Sequence, residues 1–260
     1  MLLALDSSTS ALSLALLQAG KPLSLRCFHP PERSSVLLPE AAFAMLAEHN
    51  LEARHLSGLA VGLGPGSFTG LRVGLSMAKA LAYALCIPLA GVSSLAAQAL
   101  EGPTAKPLWA TGVFRKGELF AGLFMHTPEG KVEPLEAEQT LTVGQLAKRL
   151  KDNPQSLALG FGVHTFRQAL LAEGLPPEQL LGHPLWPSAA AVGRLARLGP
   201  FDKASLFALA PAYLRGSGAE ENPLFNPLLK PLLNPLLNPL PNPLVALGGS
   251  PFPGNTGDIP

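Results

Sequence analysis

Apolar and polar positions change rhythm along this chain, and the changes mark its elements. Residues 2–5 are a short apolar run closed by Asp6, and residues 12–16 alternate with Leu12, Leu14 and Leu16 on one face. Gly20 and Lys21 make a turn, after which Leu23 and Leu25 resume the alternation. A period of two over this stretch predicts three meandering antiparallel strands. Ser34 or Ser35 then caps a helix that carries Pro39 in its early part and runs to about His49. Residues 56–61 read as a strand, a glycine-rich turn follows, and residues 70–85 read as a helix of small residues.

Residues 80–100 carry no charge, but Pro88, Gly91, Ser93, Ser94 and Gln98 interrupt them. That pattern predicts a helix end, a short strand and a second helix rather than a bilayer span. From Pro103 charges become denser. Residues 108–114 and 119–124 pair as strands across Lys116-Gly117, and Thr142 caps a helix over 143–151. A strand at 157–161, helices at 166–172, 188–198 and 203–210, and a final turn at 211–214 complete the pattern. The shift near Pro103 divides the chain into lobes 1–102 and 103–215, with the last helix returning to the first lobe. From Asn222 the units NPLF, NPLL, KPLL, NPLL, NPLP and NPLV follow one another. Proline at every fourth residue excludes a regular helix and blocks strand pairing. Residues 216–260 are therefore a low-complexity tail of turns or extended segments.

Composition narrows the classes. With 260 residues and 47% apolar content, the chain can bury one large core or two modest lobes. The net charge of +1, with 14% charged residues, leaves no basic excess of the kind that grips a nucleic-acid backbone. A role near RNA would then run through a partner, and a thinly charged surface suits coverage by another subunit. Cys27 and Cys86 lie far apart without ligand spacing and read as buried thiols suited to a reducing cytoplasm. The start, Met1 to Asp6, has no basic region and does not read as a signal peptide.

The segment Gly62-Leu-Gly-Pro-Gly-Ser-Phe-Thr-Gly-Leu-Arg-Val-Gly74 leaves a strand and opens a helix. Its glycines permit close backbone approach, and Ser67 and Thr69 are good N-caps. Two uses remain open on these residues. One is an anion cradle at a helix N-terminus; the other is a tight structural turn built from Gly64, Pro65, Gly66, Ser67, Thr69 and Gly70. It is not a Walker A loop, because no Gly-Lys-Ser/Thr follows. In the next helix Gly70, Gly74, Ala78 and Ala82 recur every four residues as a smooth stripe. Such a stripe packs closely, either on the chain's own sheet or on another subunit's helix. The six histidines, His29, His49, His55, His126, His164 and His183, include no pair four apart, so no metal site is expected. No G-x-S-x-G elbow is present, so peptidase activity is not expected either.

Residues 62–74 closely resemble the GPGSFTGLR segment of the TsaB family, the dimerisation subunits of the bacterial threonylcarbamoyladenosine-forming complex. Three further stretches are similar in the right order: Leu3-Ala-Leu-Asp-Ser-Ser-Thr9, Leu37-Leu-Pro39 and the closing Pro211-Ala-Tyr-Leu-Arg215. The resemblance is strong over residues 1–100 and thin through 103–200. Residues 112–120 depart from the family's Asp-Ala-Arg-x-Gly-Glu-Val-Tyr-like strand, lacking the aspartate and carrying Phe120 for tyrosine.

The resemblance implies an α/β protein of the actin-like, Hsp70-like fold, with two lobes that are each a mixed sheet flanked by helices. It implies a non-catalytic scaffold without cofactor or metal of its own, bound through its N-terminal lobe to a TsaD-type catalytic paralogue. A TsaE-type ATPase would join, tRNA would be reached through the complex, and the lone chain is a candidate homodimer. The helices 34–49 and 70–85 are the expected interface, with Leu37, Ala41, Leu71, Leu75, Ala78 and Ala82 as anchors. Active relatives of this fold place Asp-x-Gly-Thr at the first hairpin. Here Ser8 takes the glycine position, which leaves Asp6, Thr9, Gly160 and Gly162 as weak nucleotide candidates. The competing reading is an ATP-dependent kinase or ATPase of the same fold.

Overall fold

Alternation along the first strands sorts their side chains by size. In the computed structural model, which describes residues 1–29, 34–183 and 186–214 (of 34–36 the backbone alone), β1 (Leu2–Asp6), β2 (Leu12–Gln18) and β3 (Lys21–Phe28) form an antiparallel meander. β4 (Gly58–Gly62) and β5 (Leu89–Val92) extend it in parallel, giving the order β3-β2-β1-β4-β5. Leu3, Leu5, Leu14, Leu16, Leu59 and Val61 face one core, while Ala4, Ala15 and Ala60 face another, as a period of two dictates.

The leucine face packs against α1 (Ser34–Glu48), α2 (Phe68–Leu85) and α7 (Lys203–Ala208). Leu38, Ala41, Ala42, Met45 and Leu46 give α1 its inward stripe at helical spacing. Burying a side chain such as Leu38 or Met45 contributes about 2 kcal/mol. The alanine face takes α6 (Ala189–Leu195) and α3 (Ser94–Leu100). Small residues let α6 lie close: a Cβ on Gly193 would stand 2.6 Å from Leu17.

The second sheet runs β8-β7-β6-β9, from β6 (Leu108–Arg115), β7 (Glu118–His126), β8 (Val132–Thr142) and β9 (Leu157–Gly160), with β9 parallel to β6. Trp109, Leu119 and Ala121 pack under α4 (Val143–Asp152) and α5 (Phe161–Ala172). On the opposite face Leu108, Ala110, Phe120 and Phe124 meet Leu95 and Ala99 of α3. That helix therefore lies between the two sheets, within the compact unit Met1–Leu214.

Several elements differ from the sequence reading. β8 was not expected: it carries Pro134 and the acids Glu133, Glu136 and Glu138, and lies mostly open at the sheet edge, where proline costs no central ladder bond. α5 starts at Phe161 rather than 166, with a non-helical Phe166 at φ −103°. Cys27 and Cys86 are exposed rather than buried. Cys86 is the left-handed C-cap of α2, at φ 53°. As read, residues 80–100 are the end of α2, then β5 and α3, and no described helix is long and apolar enough to cross a membrane. The proline-leucine tail and Arg215 lie outside the described residues.

Candidate functional site

Segment 62–74 receives the turn between β1 and β2. The Ser67 amide donates to the Ser8 carbonyl at 2.6 Å, and the Ser7 hydroxyl donates to the Gly70 carbonyl at 2.8 Å. Glycine is required because of that contact. A Cβ would stand 2.0 Å from the Ser8 oxygen at Gly66, 2.1 Å from the Ser7 oxygen at Gly70, and 2.1 Å from the Ser7 hydroxyl at Gly74. Gly64 adopts φ +91° and is followed by a cis bond to Pro65. Ser67 caps α2 by accepting the Gly70 amide at 3.2 Å, while Thr69 points to solvent. Of the two uses left open, the arrangement supplies a structural reason for every glycine from 66 to 74.

Asp6 ends β1 fully buried. Its Oδ1 accepts the Ser8 amide at 2.9 Å and the Ser8 hydroxyl at 2.6 Å, and its Oδ2 accepts the Ser94 hydroxyl at 2.6 Å. Ser94 in turn accepts the Gly64 amide at 3.1 Å. A Cβ at Gly62 would stand 1.9 Å from Asp6 Oδ2. The carboxylate thus ties β1, the first turn, β4 and α3 together rather than facing open space. Burial pushes its pKa up from the ordinary 3.8, against the opposing pull of the serine donors. A raised folded-state value means that stability from this group is full below about 3.8 and is lost as pH rises toward the folded value. Asp6→Asn is expected to remove that loss while costing less than Asp6→Ala, which strips the acceptors from three donors. Urea melts between about pH 3 and pH 7 check both points; equal slopes in wild type and Asp6→Asn would refute the assignment.

The other nucleotide candidates are similarly engaged. The Thr9 hydroxyl bonds within its own turn, to Ala11. Gly160 sits at φ +107° where a Cβ would stand 2.2 Å from the Thr111 carbonyl, and a Cβ on Gly162 would meet the Thr111 side chain at 2.8 Å. Thr111 takes the Val163 amide at 2.9 Å and donates to the Leu159 carbonyl at 2.7 Å, so it fastens the start of α5 to the sheet. Among the described residues no group of three or more His, Cys, Asp or Glu side chains is placed to hold a metal ion.

The structure redistributes the expected interface residues. Leu71, Leu75, Ala78 and Ala82 of α2 and Ala41 of α1 are buried in the chain's own core, and Leu37 packs partly against it. The small-residue stripe faces the first turn and the first sheet, where Gly70 and Gly74 admit Ser7. A different face of α2 looks outward. Pro39 and Phe43 of α1 and Val73, Met77, Ala80 and Leu81 of α2 line an open groove of about 690 Å³, with Arg72, Ser76 and Ala84 completing it. The side chains expected as anchors therefore serve this chain's own core, and the open face of α2 is formed by others. Val73, Met77, Ala80 and Ala84 form a second apolar arc on a helical wheel, with Ser76 at its edge, and that arc is the signal in the sequence.

Two mixed sheets flanked by helices, with the first hairpin turn seated on a glycine-rich helix start, make this an α/β protein of the actin-like class. The solved YeaZ from Pseudomonas aeruginosa shares the fold, with a TM-score of 0.64 and 24% identity over 82% of this chain and 99% of that one. The family model for TsaD, tRNA N6-adenosine threonylcarbamoyltransferase, matches residues 31–112. The tRNA threonylcarbamoyladenosine biosynthesis protein TsaB of Bacillus subtilis is 30% identical over 84% of this chain and 96% of its own length. The protein of that name in Escherichia coli is 36% identical over 36% of this chain and 40% of its own. The chain belongs to the TsaB family.

Proposed function

We propose that this chain is a non-catalytic scaffold subunit in tRNA threonylcarbamoyladenosine biosynthesis, and that it holds a TsaD-type catalytic paralogue through the groove between α1 and α2. The single observation that carries this is where the groove lies. An open apolar cleft lined by Phe43, Val73, Met77 and Leu81 falls inside residues 31–112, the stretch that matches the paralogue's own family model. Two related lobes that each expose such a helix pair can pack them face to face about a pseudo-twofold axis, as like subunits do. Phe43 and Met77 are then the anchors, in the manner of buried aromatic and flexible apolar hot spots. The paralogue carries the nucleotide or metal and transfers the threonylcarbamoyl group to the adenosine 3′ of the anticodon. A TsaE-type ATPase joins that pair.

Mixing the full chain with a TsaD-type paralogue and resolving the products on a sizing column tests the reading. A stable complex is expected, and its failure to form under any nucleotide condition overturns it. The competing kinase or ATPase predicts a higher melting midpoint with Mg-ATP, since a ligand of the folded state stabilises it by mass action. No shift is expected here, because the Asp6 carboxylate and the Ser8 carbonyl already have partners. A clear shift that Asp6→Ala removes would favour the enzyme.

A further inference from the structure

Beside the groove α2 carries another outward face. Phe68, Arg72, Lys79 and Tyr83 fall within about 60° of one another at 3.6 residues per turn, along about 22 Å of helix. The C-terminal part of the described chain lies against this face. The rings of Phe68 and Tyr213 are 5.2 Å apart, and those of Tyr83 and Phe207 are 5.7 Å apart. The Arg72 guanidinium stands 3.9 Å above Phe68, and the Lys203 ammonium 5.3 Å from Tyr83. Arg72 also donates to the Tyr213 hydroxyl at 3.3 Å, and Lys79 to the Phe207 carbonyl at 2.9 Å.

Two features set the strip apart, and a third leaves its charges available. Both tyrosines of the chain stand on it. Among the described residues the Phe and Tyr side chains left most open, Phe43 at 50%, Tyr83 at 46%, Phe207 at 61% and Tyr213 at 42%, all lie on or beside α2. Among the described residues Arg72, Lys79 and Lys203 enter no salt bridge. Asp202, next to Lys203 in the chain, is engaged by the amides of Ala204 and Ser205.

Open rings interleaved with cations that have no carboxylate partner among the described residues suit a strand of unpaired nucleotides. Bases stack on the rings and phosphates meet the charges. We propose that this strip binds a single-stranded stretch of RNA directly. The proposal rests on the reading of the chain as part of a tRNA-modifying assembly, and departs from the expectation that RNA is reached only through a partner. A net charge of +1 averages over the whole chain and hides a local cluster of three cations. Arg72 belongs to both the strip and the groove, so an RNA lying here passes along the edge of whatever fills the groove.

The test uses the full chain alone, a fluorescein-labelled twelve-nucleotide oligouridine and a tRNA transcript, read by anisotropy at several salt concentrations. Binding in the range of about 10 μM at low salt is expected, with a log–log salt slope near −2 for about three phosphates. Phe207→Ala and Lys203→Glu are each expected to weaken it about tenfold, and Lys203→Glu also to flatten the slope. Melting curves of the variants are expected to match wild type, since both side chains are open to solvent. Absence of wild-type binding, or affinity unchanged in both variants, overturns the proposal. Variants that weaken association with the TsaD-type paralogue but leave RNA binding intact make the strip a protein interface, which overturns it too. Partner association is measured separately. Failure of the wild-type chain to form the complex, with its RNA binding and the effect of both variants on it retained, would refute the scaffold reading alone.

Discussion

Ala80→Arg is expected to weaken association with a TsaD-type paralogue about 100-fold, roughly 2.7 kcal/mol, while leaving the chain folded. Ala80 is exposed on α2 and lines the groove between Phe43 and the outer face of that helix. An arginine there fills the cleft and forces either a buried guanidinium without a partner or a partner held away from its seat. Neither consequence exists in the isolated chain, because the side chain projects into water and arginine is a good helix former. Urea melts of the variant are therefore expected within about 0.5 kcal/mol of wild type. Lys116→Ala, at the exposed turn between β6 and β7, serves as the surface control and is expected to change neither quantity. Titration of a labelled paralogue supplies the affinities. Wild-type affinity in Ala80→Arg would remove the groove from the interface.

That prediction depends on α2 having distinct sides, and the sequence showed this only in part. The chain's strong local signals did their work. Ser67, Ser93 and Thr142 each cap the helix that follows, and the alternation of Leu14 and Leu16 about Ala15 set the first meander. Leu71, Leu75, Ala78 and Ala82 are offered by the sequence as interface anchors with packing on the chain's own sheet left open, because a stripe of small residues suits helix contacts of either kind. Only the position of the first turn decides between them, and Ser7 in that turn is 63 residues from Gly70 in sequence. Once Ser7 is seated on Gly70 and Gly74, the stripe must face inward, and Val73, Met77 and Leu81 are left half-buried at the groove with Ala80 exposed beside them.

Other segments show how position in the fold decides what composition leaves open. β8 carries proline and a run of glutamates that argue against a strand, and pairs because Leu119, Leu123 and their neighbours on β7 present a free edge. Gly160-Phe161-Gly162 imitates a phosphate loop in composition. In the fold its glycines make room for Thr111. Cys27 looks apolar in the sequence, yet stands on the outermost strand of the first sheet. For β8 and the turn at 160–162 a long-range contact outweighed a local preference, and for Cys27 the place of β3 at the sheet edge did.

Gly66→Ala is the sharpest test of what the glycine-rich segment does. Its added Cβ would stand 2.0 Å from the Ser8 carbonyl oxygen, 2.8 Å from the Ser8 carbonyl carbon and 2.8 Å from the Ser8 Cβ. The closest atom belongs to the backbone, which cannot swing aside as a long side chain can. The same oxygen accepts the Ser67 amide at 2.6 Å, so relief by moving the turn breaks the bond that seats it. A cost of about 3 kcal/mol is expected, a large part of the total stability of an ordinary domain. Gly20→Ala separates crowding from backbone strain. Gly20 sits at φ +76° with nothing within 4 Å of the added carbon, and the change there is expected to cost only about 1 kcal/mol. Where Gly66→Ala remains folded, the start of α2 must shift to clear Ser8, and the groove shifts with it. Affinity for the TsaD-type paralogue is then expected to fall although no groove residue has changed. An anion cradle predicts a different pattern: a small stability change, unaltered partner affinity and lost protection by phosphate in thermal melts. Denaturant melts, partner titration and melts with inorganic phosphate, all on Gly66→Ala, decide between the two uses of the segment.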